Sequence, residues 1–137
     1  MSRESQPVPA SAASKVFIAD GDASVRDSLA RLLGPLGARV SGYATGAALL
    51  ADLSGDTPPA VIVADMRLPD MTGLDLMTEI SRRGQRIPTI LLSRDPDVST
   101  AVNAMRAGAV DFLEKPGIDR VLLGHIARLL APHSAGR

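Results

Sequence analysis

The sequence contains no cysteine and no tryptophan. The first absence excludes a disulfide framework, a thiolate zinc site and a catalytic thiol. Aromatic residues number three, two Phe and one Tyr, so any core must be aliphatic. The two histidines, His125 and His133, stand alone and make a poor metal site. An excess of one charge sign is also missing: 15 basic residues balance 15 acidic ones. That balance argues against electrostatic capture of nucleic acid or a membrane surface by this domain. No run of ~18 apolar residues is present to span a membrane. The stretch Met1 to Ser14 lacks the apolar segment of a signal peptide, so a cytoplasmic location is the default expectation.

What remains is a chain of 137 residues, 45% of them hydrophobic, enough for one compact domain. The Ser-, Pro- and Ala-rich residues 1–14 are expected to be a disordered tail, and 132–137 a second one. Between them, over 15–131, short apolar runs alternate with helical patterns. Val16 to Ala19 is a short apolar run. Val25, Leu29, Leu32, Leu33 and Leu36 then follow at helical spacing, with Ser24 and Asp27 as the expected cap and Gly37 as the stop. Arg39 to Tyr43 reads as a weaker strand and Thr45 to Leu53 as a short helix. Ala60 to Ala64 is apolar at every position, the pattern of a central parallel strand buried on both faces. Leu74, Met77 and Ile80 share the next helix face, and Thr89 to Ser93 is a fourth strand. Asp97 can cap a helix carrying Val98, Ala101, Val102 and Met105. Val110 to Leu113 and Val121 to Leu130 complete five strands and five helices.

Strict alternation implies an α/β fold: a doubly wound, five-stranded parallel sheet with helices on both faces. Ligands of such sheets bind beyond the carboxyl ends of the strands, where strand order reverses. The residues at those ends are Asp20, Asp65, Ser93 and the segment Phe112 to Lys115. If the first and third strands are neighbours, Asp20 and Asp65 share a cleft, and their repulsion calls for a cation. A hard divalent ion suits such oxygen donors, and Lys115 adds a compact positive charge. Together these groups could hold a phosphoryl group and stabilise its transfer.

Asp65 to Gly73 resembles the phosphorylation loop of bacterial response-regulator receiver domains, Asp-x-x-x-Pro-x-x-x-Gly. Ser93 stands where receivers carry Ser or Thr, and Ala107 to Pro116 is similar to their fifth strand and Lys-Pro ending. The likeness is closest to receivers of two-component transcription factors with a LuxR-type output. It implies a flavodoxin-like strand order, 2-1-3-4-5. It further implies a phosphoacceptor signalling domain rather than a classical enzyme, one that assists its own phosphotransfer and dephosphorylation. Asp65 would take a phosphoryl group from a sensor histidine kinase or phosphotransfer protein. Mg²⁺ would be held by Asp20, Asp65 and the backbone carbonyl of Arg67. Ser93 and Lys115 would contact the phosphoryl group, and Ser93 with Phe112 would form the switch, with a cis bond before Pro116. The output would be a changed face of helix four, strand five and helix five, offered to a downstream protein target or to a second copy in a homodimer.

The sequence departs from the family at Asp20-Gly21-Asp22, where receivers usually carry two adjacent acids. Gly21 has no side chain to offer, so weak Mg²⁺ binding is expected. Either Asp20 binds the metal directly, or Gly21 relaxes the backbone and lets Asp22 turn inward; the competing role for Asp22 is a helix cap. Two other readings stay open. One is an atypical receiver that binds its partner without phosphorylation. The other, suggested by the likeness of Asp20-Gly21-Asp22 to haloacid-dehalogenase-type phosphatases, makes Asp20 a nucleophile and Asp22 an acid/base.

Overall fold

The computed structural model describes residues 14–53, 57–115 and 119–130. The expected tails, apart from Ser14, and the bond before Pro116 lie outside these residues; Ser14 is buried, and its carbonyl accepts from Arg39 N–H. The central strand, β3 (Val61–Asp65), shows how the sheet is covered. Strand side chains alternate between faces. Val61 and Val63 join one core cluster, with Leu29 and Leu33 of α1 (Ala23–Leu33) and Leu122, Ile126 and Leu130 of α5 (Asp119–Leu130). Ile62 and Ala64 join the other, with Leu49 and Leu50 of α2 (Gly46–Ala51), Leu76 and Ile80 of α3 (Gly73–Arg82), and Ala104 of α4 (Val98–Arg106). Residues 61 to 64 are fully buried. Each Val or Ile so buried contributes about 1.5–3 kcal/mol.

β1 (Lys15–Ala19), β2 (Arg39–Tyr43), β4 (Thr89–Ser93) and β5 (Asp111–Glu114) complete a parallel sheet of order β2-β1-β3-β4-β5. The expected flavodoxin-like order is therefore found. Strand order reverses between β1 and β3, which puts the carboxyl ends of both at the switch-point crevice.

Several element ends differ from the sequence reading. The cap of α1 is Asp22, whose side chain accepts from the Ser24 backbone N–H, rather than Ser24 with Asp27. Helix α1 stops at Leu33 and tightens into a 3₁₀ turn over Gly34–Leu36. Gly37 follows at φ 82, in the left-handed region that glycine enters without strain. Asp97 caps α4 as expected, but Val98, Val102 and Met105 are exposed and Ala104 is the buried residue.

Candidate functional site

Asp65 ends β3 and Asp20 follows β1, both at the reversal of strand order. Lys115 follows β5, where its backbone N–H donates to the Ser93 carbonyl at 2.8 Å. Its buried ammonium lies 2.8 Å from Asp20 Oδ2 and 3.6 Å from Asp65 Oδ1. Three of the expected residues therefore meet in one pocket. Ser93 is buried at the end of the neighbouring strand, and its Oγ accepts from the Asp95 backbone N–H at 3.2 Å. Phe112 is half-buried one strand further out, against the cluster that contains Leu91 and Ala104.

The loop after Asp65 is tightly closed. Gly73 N–H donates to Met66 O, Leu68 N–H to Met71 O, and Arg67 bridges Thr72. Thr72 then starts α3 with a reciprocal cap: its hydroxyl accepts from Asp75 N–H, and the Asp75 carboxylate accepts from Thr72 N–H. A Cβ at Gly73 would stand 2.7 Å from Leu91 Cδ2 and 3.1 Å from the Asp65 carbonyl oxygen, so the close approach behind the end of β3 favours glycine. Burial pushes the Asp65 carboxyl above the ordinary aspartate range. Lys115 opposes this, while the charge of Asp20 adds to it.

Asp20 is closely bound. Its Oδ1 accepts from Asp22 N–H at 2.9 Å, its Oδ2 from Lys115, and its backbone carbonyl from an Arg26 guanidinium N–H at 2.6 Å. Asp22 does not turn inward. Its exposed carboxylate accepts from the Ser24 N–H and hydroxyl, and these bonds hold its pKa low. These bonds give Asp22 the helix-capping role at the start of α1. A Cβ at Gly21 would lie 3.2 Å from Pro69 Cγ, so the phosphorylation-like loop leans on the position where a second acid would stand.

A hard divalent cation fits this donor set only sparsely. Among the described residues there is no group of three acidic, His or Cys side chains suited to a metal. The residues available are Asp65, Asp20 and the Arg67 carbonyl, to which no backbone N–H is bonded among the described residues. Mg²⁺ commonly keeps several waters and takes only one or two carboxylates, so the set is thin but chemically suitable.

Two participants have no motif that marks them in the sequence. Arg26 is one of thirteen arginines. Asp70 accepts from the Gly46 and Ala47 backbone N–H groups, both at 2.9 Å, across 24 and 23 positions. His125 instead pairs with Asp111 at 2.7 Å and with Arg128, away from any metal cluster among the described residues.

The family model of the response regulator receiver domain matches residues 16–127. The chain belongs to the response regulator receiver family. It is 37% identical over 121 residues to the response regulator protein TmoT of Ectopseudomonas mendocina, covering 87% of this chain and 54% of that protein. It is 41% identical over 113 residues to the transcriptional regulatory protein FixJ of Rhizobium meliloti strain 1021, covering 82% of this chain and 55% of that protein. This receiver chain thus spans about half the length of the curated relatives it matches. Among solved structures, FixJ-N superposes with a TM-score of 0.76 at 39% identity, covering 85% of this chain and 93% of that one. The BeF3-activated DrrB receiver domain gives 0.76 at 27% identity, covering 85% and 97%. Membership makes this chain a receiver domain of two-component signalling. No helix among the described residues is long and apolar enough to cross a membrane.

Proposed function

We propose that this receiver is a phosphorylation-dependent switch whose acceptor is Asp65. The reading rests above all on the convergence of Asp65, Asp20 and the buried Lys115 at the crevice between β1 and β3. A carboxylate oxygen of Asp65 attacks the phosphorus of a phosphohistidine on a sensor histidine kinase or phosphotransfer protein. An O–P bond forms, the P–N bond breaks, and the imidazole leaves with a proton from solvent. The Lys115 ammonium balances the charge spread over the phosphoryl oxygens. The Ser93 hydroxyl donates to one of those oxygens. A Mg²⁺ ion held by Asp65, the Arg67 carbonyl and Asp20 would supply further positive charge there.

Switching follows from the same contacts. Once Ser93 Oγ gives up its bond from Asp95 N–H for a phosphoryl oxygen, the half-buried Phe112 can turn inward. The face made by α4, β5 and α5 is then remodelled. That face carries exposed Val98, Val102 and Met105 on α4 and Val121 on α5, a surface suited to a downstream protein or a second copy of the chain. The balanced charge gives no reason to expect direct nucleic-acid or membrane binding by this domain, and a cytoplasmic location suits a partner of a kinase. Residues 15–131 are the unit that would carry these steps.

Beryllofluoride, a phosphoryl mimic, tests the reading. It should bind in the presence of Mg²⁺, shift the backbone resonances of Asp65 and Ser93, and fail to bind the Asp65→Asn chain. Binding unaffected by that substitution would overturn the proposal. The second reading, partner binding without phosphorylation, is favoured by Gly21 and by the engagement of Asp20 with Lys115. It gains the field if Asp65→Asn leaves partner binding unchanged.

A further inference from the structure

The loop after Asp65 is held at its tip by an element outside it. Leu68 N–H donates to the Met71 carbonyl and Arg67 bridges Thr72, so Pro69 and Asp70 form the tip of a small hairpin. Both carboxylate oxygens of Asp70 reach α2: Oδ1 accepts from Gly46 N–H and Oδ2 from Ala47 N–H, each at 2.9 Å. These bonds, from Ala47 and then Gly46, hold the Asp70 carboxyl below the ordinary aspartate range. Helix α2 has six residues, too few to be stable alone. Its first N–H groups are divided between two caps. The Thr45 hydroxyl takes that of Ala48 at 3.0 Å, and Asp70 takes those of Gly46 and Ala47. An apolar contact adjoins the polar one: Met71 fills the space over Gly46, where a Cβ would stand 2.7 Å from Met71 Cγ. The seat itself is firm, since Leu49 and Leu50 are buried and Arg83 donates to the Leu50 carbonyl. At its base the hairpin meets the acceptor. Burial raises the Asp65 pKa, and Lys115 and then the Arg67 backbone N–H oppose the rise.

We propose that Asp70 is a positioning residue for phosphoryl transfer, seating this hairpin on the first turn of α2 and thereby fixing Arg67 beside the Asp65 carboxylate. The inference rests on Asp65 as acceptor. Asp70 touches no reacting atom; it acts through the hairpin. Without its carboxylate the hairpin keeps its joins to β3 and α3 but loses its polar hold on α2. A tilt about those joins moves Arg67 relative to Asp65. Phosphoryl transfer needs the attacking oxygen in line with the leaving group, so a small displacement of the acceptor costs rate.

The test is the rate of acyl phosphate formation from phosphoramidate with Mg²⁺, for the native chain, Asp70→Ala and Asp70→Asn, at a temperature where circular dichroism shows each one folded. In this reaction an Asp65 oxygen bonds to phosphorus, the P–N bond breaks, and its electron pair leaves with ammonia from the N-protonated donor. Asp70→Ala should react about tenfold more slowly, less than a 1 Å misplacement can cost. Asp70→Asn keeps one accepting oxygen and should recover part of the rate. Amide exchange at Leu68 and Gly73, which close the loop, should quicken in Asp70→Ala while that of β1 stays unchanged. A folded Asp70→Ala chain that reacts at the native rate, or an Asp70→Asn chain no faster than Asp70→Ala, overturns the positioning role. If Asp70→Ala does not fold, Gly46→Ala, which drives Met71 off α2, carries the same expectation, and a native rate there overturns the proposal. If the native chain forms no adduct on Asp65, the acceptor reading falls and the positioning role falls with it. A native adduct formed as fast without the Asp70 carboxylate leaves the acceptor standing and removes the positioning role alone.

Discussion

Asp65 pays for its position with instability. Burial, and then the charge of Asp20, disfavours its ionised form, and Lys115 offsets only part of this. Its folded-state pKa lies above the unfolded value, so the folded chain holds this proton more tightly. The resulting cost appears as pH rises through the unfolded value and is fully present above the folded one. Asp65→Asn should therefore stabilise the fold at neutral pH by about 1 kcal/mol in urea denaturation, as removal of a strained functional charge commonly does. The gain should shrink below the unfolded aspartate range; a gain independent of pH would contradict the assignment. Asp22, Asp70 and Asp97 act with the opposite sign. Hydrogen bonds hold their pKa values low, so the stability they supply is present above the ordinary aspartate value and is lost as pH falls through their depressed ones. The placement of Asp65 and Ser93 at strand ends and of Lys115 just after one was legible in the sequence because each sits in a spaced motif. The choice of Lys115 for Asp20 was not, because it depends on distances across 95 positions.

Among the elements, α3 owes its start to the Thr72–Asp75 reciprocal cap. Thr72→Ala should cost about 1 kcal/mol in chemical denaturation, and it should also loosen the loop that carries Arg67. An unchanged midpoint would show that the cap contributes nothing. Helix α2 is tied at both ends to the segment that runs from the β3 loop through α3. Asp70 holds its first N–H groups, and Arg83, just past α3, donates to the Leu50 carbonyl at 3.2 Å. Helix α4 has weaker anchorage. Its residues Val98-Ser99-Thr100-Ala101-Val102-Asn103 are mostly mediocre helix formers, and Ala104 is its one buried side chain among those described. Hydrogen exchange should find α4 less protected than α1; equal protection would contradict this. Periodicity places Val98, Val102 and Met105 on one helix, and an apolar stripe at helical spacing is the same whether it faces the sheet or a partner. They are 80%, 41% and 48% exposed, so here the stripe marks a surface.

For the whole molecule, the alternation of strands and helices carried the fold, including the strand order implied by the resemblance. β3 shows why: apolar residues at successive positions require cover on both faces, and α1 with α5 supplies one side while α2, α3 and α4 supply the other. The sequence could not show which helix faces remain uncovered, since that depends on how far each helix sits over the sheet edge. The exposed apolar residues of α4 and α5 lead to a prediction at this scale. Sedimentation should show the chain associating into a dimer in beryllofluoride and Mg²⁺, and Val102→Asp should suppress that association; an unchanged monomer would contradict a self-associating output face. The central claim concerns the acceptor itself. The chain should be incubated with a small phosphodonor such as phosphoramidate, with Mg²⁺, and the modified residue mapped by mass spectrometry after borohydride trapping of the acyl phosphate. A single adduct on Asp65, absent in Asp65→Asn, is the predicted result. An adduct on Asp20, or none at millimolar Mg²⁺, would contradict the account.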